Sequence, residues 1–331
     1  MAATYRAVML TKAGGPEVLQ IVELPVEAPG PGQLRVRVRA AGVGSTDLVI
    51  LAGKYRFAPK MPFVPGYEIA GEVDAIGAGI TGFEVGDRVA ALTVYGGFGE
   101  LIVRGAEHFL PIPDAVSDRD AAAVILNYVT AWQMIHRVAK VESGQKALVT
   151  GASGGVGTAA LQLLRLAGVK TYGAASAAKH DTVRSLGATP IDYRAGSIDR
   201  LTRALEPNGV DYVFDAIGDI GPCIGALRRG GTLVGFGFIG ATTKLAQGAM
   251  FANLFVGARL RGRKSTFYGI TLLYQKDKQP LREDLPKIFS LLAEKTVDPL
   301  VDRTFPLLDA RKALEFLAAG NVEGKIVLID A

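Results

Sequence analysis

The chain has 331 residues, which suggests two domains and allows a large core without covalent staples. Apolar residues make up 49% and charged residues 21%, and 37 Lys and Arg against 32 Asp and Glu leave a net charge of +5, a weak surplus that suits an anionic small ligand as well as a polyanion. One cysteine, Cys223, excludes an internal disulfide and a multi-thiolate zinc site, and no two of His108, His136 and His180 stand at a close metal-ligand spacing.

The chain enters a strand-like pattern at once, with no apolar stretch like that of a signal peptide. No uncharged apolar run approaches the ~18–20 residues that a membrane span needs. A cytoplasmic protein with no membrane partner is therefore expected. Basic residues are scattered, apart from the alternating run Arg259, Arg261, Arg263 and Lys264. A solvated surface is the expectation there, and nucleic acid is not an expected partner.

In the first third, short apolar or alternating runs at 3–10, 33–41, 68–76, 87–92 and 99–103 read as strands. Pro and Gly clusters such as Pro29-Gly30-Pro31-Gly32 bound them and mark turns. Residues 118–140 then carry apolar side chains at helical spacing. From 146 onward strands and helices alternate, with strands expected at 147–150, 170–174, 190–193, 210–216 and 232–236. Repeated strand–helix units imply a parallel sheet with right-handed crossovers. Residues 284–295 read as a helix capped by Asp284 with Pro286 in its first turn, 309–319 as another helix, and 325–329 as a last strand. The division expected is 1–124, 125–262 and a return segment, 263–331, that completes the first domain.

The strand ending at Thr150 runs into Gly151-Ala152-Ser153-Gly154-Gly155-Val156-Gly157 and then into an amphipathic helix. Strand, glycine loop and helix N-terminus together form a pyrophosphate cradle, because glycine lets the backbone turn tightly and approach the phosphates. Binders of NAD place an acid about 20 residues on, for the ribose hydroxyls. Here Tyr172 to His180 contains none, whereas Ser176 and Lys179 can meet a phosphate and Tyr193 ends the next strand nearby. NADP(H) is the expected cofactor.

Pro65-Gly66-Tyr67-Glu68, Gly71, Gly77 and Gly86-Asp87-Arg88-Val89 closely resemble the signature of medium-chain dehydrogenases/reductases, with Tyr67 in place of its histidine. Gly14-Gly15, Gly53-Lys54-Tyr55, Leu126-Asn127-Tyr128, Asp215-Ala216-Ile217-Gly218 and Gly324-Lys325 fit in order along nearly the whole chain. Within the family the sequence looks most similar to the zinc-free quinone oxidoreductases, nearest the vesicle amine-transport-protein-like branch. The resemblance implies an α/β protein: a GroES-like β-rich substrate domain wrapped around a Rossmann doubly wound parallel sheet. It also implies NADPH in the cleft between them and a homodimer, for which 230–255 is the candidate contact. The cofactor contacts expected are Thr130, Ala152, Ser153, Gly154, Gly155, Val156, Gly157, Ser176, Lys179, Tyr193, Ile217, Gly218, Phe236, Gly237 and Lys325.

The departures from the family pattern are chemical. Zinc members carry Cys and His in the segment matching Gly44-Ser45 and His at the position of Tyr67, so no metal is expected here. Quinone oxidoreductases usually carry Asn at Gly44, and many relatives carry Asn at Phe238. Without a Lewis acid, hydride addition to an electron-poor quinone or enone is the reaction expected, and it asks only for hydrogen-bond donors and a proton. Tyr67, Tyr55 and Tyr128 are the candidate catalytic donors, and the Tyr67 hydroxyl is expected to face the cleft. The alternatives are a cofactor-binding protein that acts by interaction, and an enoyl-thioester reductase. His108 is expected to be exposed, His136 to sit on a helix surface or in core, and Cys223 to be buried packing.

Overall fold

The computed structural model describes residues 3–237 and 243–330; Phe238 lies outside the described residues. In chain order the strands are β1 (Thr4–Leu10), β2 (Leu19–Pro25), β3 (Gln33–Val43), β4 (Glu68–Ile76), β5 (Arg88–Leu92), β6 (Leu101–Gly105) and β7 (Phe109–Pro111). Then come β8 (Lys146–Thr150), β9 (Lys170–Ala175), β10 (Thr189–Asp192), β11 (Val210–Asp215), β12 (Leu227–Gly235) and β13 (Lys264–Phe267), followed by β14 (Val301–Pro306) and β15 (Lys325–Ile329). The chain divides into one unit of Met1–Val129 with Thr271–Ala331 and a second of Thr130–Ile270.

In the first unit β1 and β2 form an antiparallel pair, and a seven-stranded sheet runs β14-β15-β3-β4-β5-β7, with β6 also on β3. Leu34, Val36, Val38 and Ala40 alternate along β3 and are fully buried, the period-2 pattern of a strand with one face in a core. The return segment supplies β15, which pairs antiparallel with β3 (Ile326 opposite Val43), and β14, parallel to β15.

The second unit is a parallel sheet in the order β10-β9-β8-β11-β12-β13 with helices between the strands. This is the doubly wound order, in which strand sequence reverses after β8. Leu148, Val213 and Leu233 from its middle strands join Cys223, Ile224, Leu254 and Ala258 in one core. The molecule is thus mixed α/β, a GroES-like sheet unit and a Rossmann-type parallel sheet.

Several boundaries differ from the sequence reading. The helix expected to begin at Asp284 spans Gln279–Ala293. Pro280 occupies its first turn, so Asp284 is a buried interior residue paired with Lys287 at 3.5 Å, and Pro286 sits inside the helix. The helix expected over 118–140 ends at Trp132 and continues as a wider turn, Gln133–Ala139, closed by left-handed Lys140 (φ 53°). β13 pairs with β12, which adds Lys264–Phe267 to the parallel sheet beyond the boundary expected at 262. β2 and β14 carried no clear sequence signal because their side chains are mostly exposed.

Candidate active site

The glycine loop between β8 and the helix Gly155–Leu166 is folded on itself. Gly151 turns the chain at φ 62°, and its carbonyl accepts from Gly154 N at 3.0 Å. A Cβ at Gly157 would stand 2.2 Å from that carbonyl, so only glycine lets the first helical turn tuck beneath the loop. Ala152 occupies the first glycine position of the fingerprint and is fully buried. It is accommodated by Gly173 of β9, where an added Cβ would meet the Ala152 methyl at 3.0 Å. Ala152 and Gly157 therefore shape the loop, while Ser153, Gly154, Gly155 and Val156 remain partly accessible. The first N–H groups of such a helix have no intrahelical partner and point at the loop.

β9 ends at Ala175, and Ser176 follows it, 9% exposed, with its carbonyl accepting from Lys179 N at 2.9 Å. Lys179 is half-buried, and Tyr193, 51% exposed, stands under the Arg194 guanidinium. Asp192, one strand over and in register with Ala175, accepts from Arg194 N at 3.0 Å.

The third wall is organised by a residue to which the sequence reading gave no role. Asp215, fully buried at the end of β11, accepts from Thr150 Oγ1 at 2.6 Å, Ile217 N at 3.2 Å and Gly218 N at 2.8 Å. Its own carbonyl accepts from Phe236 N at 2.8 Å, and a Cβ at Gly237 would lie 2.2 Å from Ala216 O. Asp215 and Thr150 thus hold Ile217, Gly218, Phe236 and Gly237 in one nested turn. Cys223 is buried as expected, and burial pushes its thiol well above the usual range. Thr130, 5% exposed, has a hydroxyl with no hydrogen-bond partner among the described residues.

In the first unit, Gly66 (φ 107°) delivers Tyr67 into the core at 2% exposure. The Tyr67 hydroxyl meets the Tyr55 hydroxyl at 2.7 Å, the Tyr55 hydroxyl meets Thr271 Oγ1 at 2.6 Å, and Tyr67 and Thr271 are also in contact. Burial raises both phenols above their ordinary pKa, so both are neutral donors at pH 7. Three hydroxyls carry three protons, and a closed ring uses all of them. Tyr55 is half-buried and is the more accessible phenol; Tyr67 is enclosed. Thr271, far along the chain, had no signal in the sequence. Tyr128, the third candidate donor, is buried at 2% exposure.

Family models cover both units: the alcohol dehydrogenase GroES-like domain matches residues 30–114, and zinc-binding dehydrogenase matches residues 186–328. The chain is 31% identical to the human synaptic vesicle membrane protein VAT-1 homolog-like over 99% of its own length and 81% of that protein's. It is 30% identical to a quinone oxidoreductase-like protein 2 homolog of Nematostella vectensis, covering 98% of this chain and 89% of the other. Among solved structures, mycobacterial Rv1454c complexed with NADPH superposes with a TM-score of 0.85 at 27% identity, covering 98% of this chain and 99% of that one. The chain belongs to the quinone oxidoreductase family of medium-chain dehydrogenases/reductases.

Against the family pattern, the Gly-Tyr-Glu variant has a visible structural role. Glu68, fully buried, accepts from Leu126 N at 2.5 Å and pairs with Lys325, itself 3% exposed. Lys325, expected among the cofactor contacts, pairs with the buried Glu68 carboxylate. Asp47, 1% exposed, completes the group: one oxygen accepts from Gly44 N at 2.9 Å and the other has no partner among the described residues. Burial pushes its carboxyl up to about 7, opposed by the Gly44 N–H and the Lys325 charge and reinforced by Glu68. The donors do not suit the zinc in the matched model's description. Gly44 has no side chain, Tyr67 is a neutral phenol in a hydroxyl ring, and no group of three His, Cys, Asp or Glu that could hold a metal occurs among the described residues. His108, expected to be exposed, is half-buried with Nδ1 2.8 Å from the Tyr274 hydroxyl, and burial lowers its pKa. His136 is exposed on its helix and packs on Trp132 with ring centroids 4.2 Å apart.

Proposed function

We propose that the chain is a metal-independent NADPH reductase of quinones or α,β-unsaturated carbonyls. The observation that carries this reading is the nested glycine loop beside an end of β9 that has no carboxylate. The loop's accessible backbone suits a pyrophosphate, and Ser176, Lys179 and Tyr193 suit a 2′-phosphate where NAD binders would need an acid. The unpaired Thr130 hydroxyl suits the carboxamide end of the cofactor. The NADPH complex of the mycobacterial neighbour supports the same choice.

When bound, NADPH supplies the hydride. The hydride adds to a carbon of the conjugated acceptor, its π electrons move to the carbonyl oxygen, and that oxygen or the α-carbon takes a proton from a hydroxyl or water. Gly44, Ser45 and Tyr67 offer no Lewis acid, which restricts the acceptor to one already electron-poor. The candidate donors are the neutral hydroxyls of Tyr55 and Tyr67; the ring must open at Tyr55 to release a donor. β13, at the edge of the parallel sheet, suits a homodimer by continuing the sheet across a two-fold axis. A lone buried thiol suits the cytoplasm.

The test is NADPH oxidation by the purified chain, with chelator present, across quinones, alkenals and enoyl thioesters. Turnover of quinones or alkenals is expected. Exclusive turnover of thioesters would move the reading to an enoyl-thioester reductase. Binding of NADPH with no turnover of any class would overturn it in favour of a protein that acts by interaction.

A further inference from the structure

Gly44 is a glycine that the backbone does not demand. Its φ of −148° and ψ of 176° are extended angles open to any residue. Before the short helix Ser45–Leu51 it is no better a cap than Asn. Among the described residues beyond its chain neighbours, a Cβ placed there would meet one atom within 4 Å, the Lys325 Nζ at 3.6 Å. At Gly42, two residues back, a Cβ would overlap the Glu68 carboxylate, so that glycine is fixed by packing. The missing side chain at Gly44 instead leaves room, and the groups bordering the room are polar. β15 runs antiparallel to β3 with Ile326 opposite Val43, which sets Lys325 beside Gly44. Lys325 has three N–H donors, and among the described residues Glu68 is its one hydrogen-bond partner. Asp47 holds the Gly44 N–H with one oxygen at 2.9 Å, and its other oxygen is buried with no partner among the described residues. Buried polar groups are as a rule satisfied, so this notch is built for an occupant. Gly44 itself is partly accessible, and Ser45 beside it is exposed.

We propose that Gly44, Asp47 and Lys325 form a subsite for a neutral oxygen substituent, carbonyl or hydroxyl, of the electron-poor acceptor. A carbonyl oxygen accepts from Lys325. A hydroxyl accepts from Lys325 and donates to Asp47. Glu68 already balances the Lys325 charge, and Asp47 adds negative charge when ionised, so a carboxylate or phosphate substituent is disfavoured. An ammonium substituent would face Lys325. The subsite lies within electrostatic reach of the candidate proton donors: burial is the main cause of the raised Tyr55 and Tyr67 phenols, and the Asp47 charge adds to both. An acceptor with a second oxygen, as in a quinone, engages ring and notch together, whereas a simple alkenal engages one of them. The Asn that quinone oxidoreductases usually carry at the position of Gly44 would fill the notch, so this selectivity belongs to the present chain. The inference rests on the reductase reading for the identity of the ligand, and its residues all lie in the first unit.

The test is calorimetric titration of the full chain, with NADP+ in excess, by hydroquinone and by 1,4-dimethoxybenzene, whose ether oxygens accept but do not donate. Hydroquinone should bind about ten- to a hundredfold more tightly, the range for a hydrogen bond to a charged group. Gly44→Asn fills the notch, so it should bring the two affinities together and raise the KM of benzoquinone more than that of a simple 2-alkenal. Asp47→Asn keeps the shape and the Gly44 contact but puts an NH2 group where the free oxygen stood, so it too should lose the preference for hydroquinone. Urea unfolding curves matching the parent's show which variants remain folded. Equal affinities of the parent for the two ligands, or binding of neither, overturn the proposal, since the notch then holds water alone. So does a preference that survives both variants. Selective hydroquinone binding by a chain that turns over no acceptor keeps the subsite and overturns the reductase reading, and turnover of quinones without the preference does the reverse.

Discussion

Tyr55 and Tyr67 separate two roles that the sequence could not. Both are phenols in a glycine-rich setting, but Tyr67 is enclosed and Tyr55 is half-exposed, and they share a hydroxyl ring with Thr271. Tyr55→Phe should lower kcat the more, by as much as ~100-fold if its proton goes to the developing oxyanion. Tyr67→Phe keeps its ring volume and leaves two hydroxyls to pair with each other, so a smaller kcat loss is expected, with NADPH affinity unchanged. Steady-state kinetics on the best acceptor checks the order, and the reverse order would return the donor role to Tyr67. At the ribose, Lys179→Ala should weaken NADPH by roughly ten- to a hundredfold and leave NADH nearly unaffected, given ~1.5–3 kcal/mol for a charge-assisted hydrogen bond. Equal losses in a fluorescence titration would remove Lys179 from the 2′-phosphate. Asp47 makes a pH prediction. Its carboxyl, ordinarily near 3.8, is raised to about 7 in the fold, so the folded state binds the extra proton between those values. Its contribution is present below about pH 4 and is lost as pH rises through 7. Asp47→Asn should flatten this decline, read as the difference between urea midpoints at pH 5 and pH 8. An undiminished decline would assign it to other groups.

Among the elements, the loop joining β8 to its helix was the most legible, because a glycine pattern at a strand–helix junction has one physical reading. What surrounds it was less so. Asp215 and Thr150 hold the neighbouring turn through backbone N–H groups, which leave no period in the sequence. The helix Gln279–Ala293 was misplaced because Asp284 and Pro286 look like a cap and a first turn, and the residue that starts the helix is Pro280. Thr271 joins the tyrosines only through tertiary folding, which spacing cannot show. Gly157→Ala tests the loop: its Cβ would meet Gly151 O at 2.2 Å, forcing loop and helix apart. Overpacking of this kind costs about 1–3 kcal/mol, so a lower Tm together with lost NADPH binding is expected. A variant that melts and binds like the parent would show that the loop yields freely.

For the whole molecule, the parallel sheet followed from strand–helix alternation and its doubly wound form from the family resemblance; of the returning strands β15 was legible and β14 was not, and boundaries were not, since β13 is short and partly exposed. Sheet continuation through β13 predicts a dimer mass by sedimentation at micromolar concentration, and a monomer would exclude it. Antiparallel pairing of two β13 strands requires a two-fold axis normal to the sheet.

The place of β15 has a consequence for synthesis. β15 lies between β14 and β3, and Lys325 at its start is the counterion of buried Glu68. The ribosome makes β3 before the intervening unit and β15 after it, so the first unit cannot close its sheet until that unit has been made. The intervening unit, Thr130–Ile270, has all six of its strands by then. Folding during translation therefore runs against chain order: the part made second matures first, and the nascent N-terminal strands wait with an open edge and an unpaired carboxylate, the interval in which chaperone protection matters most.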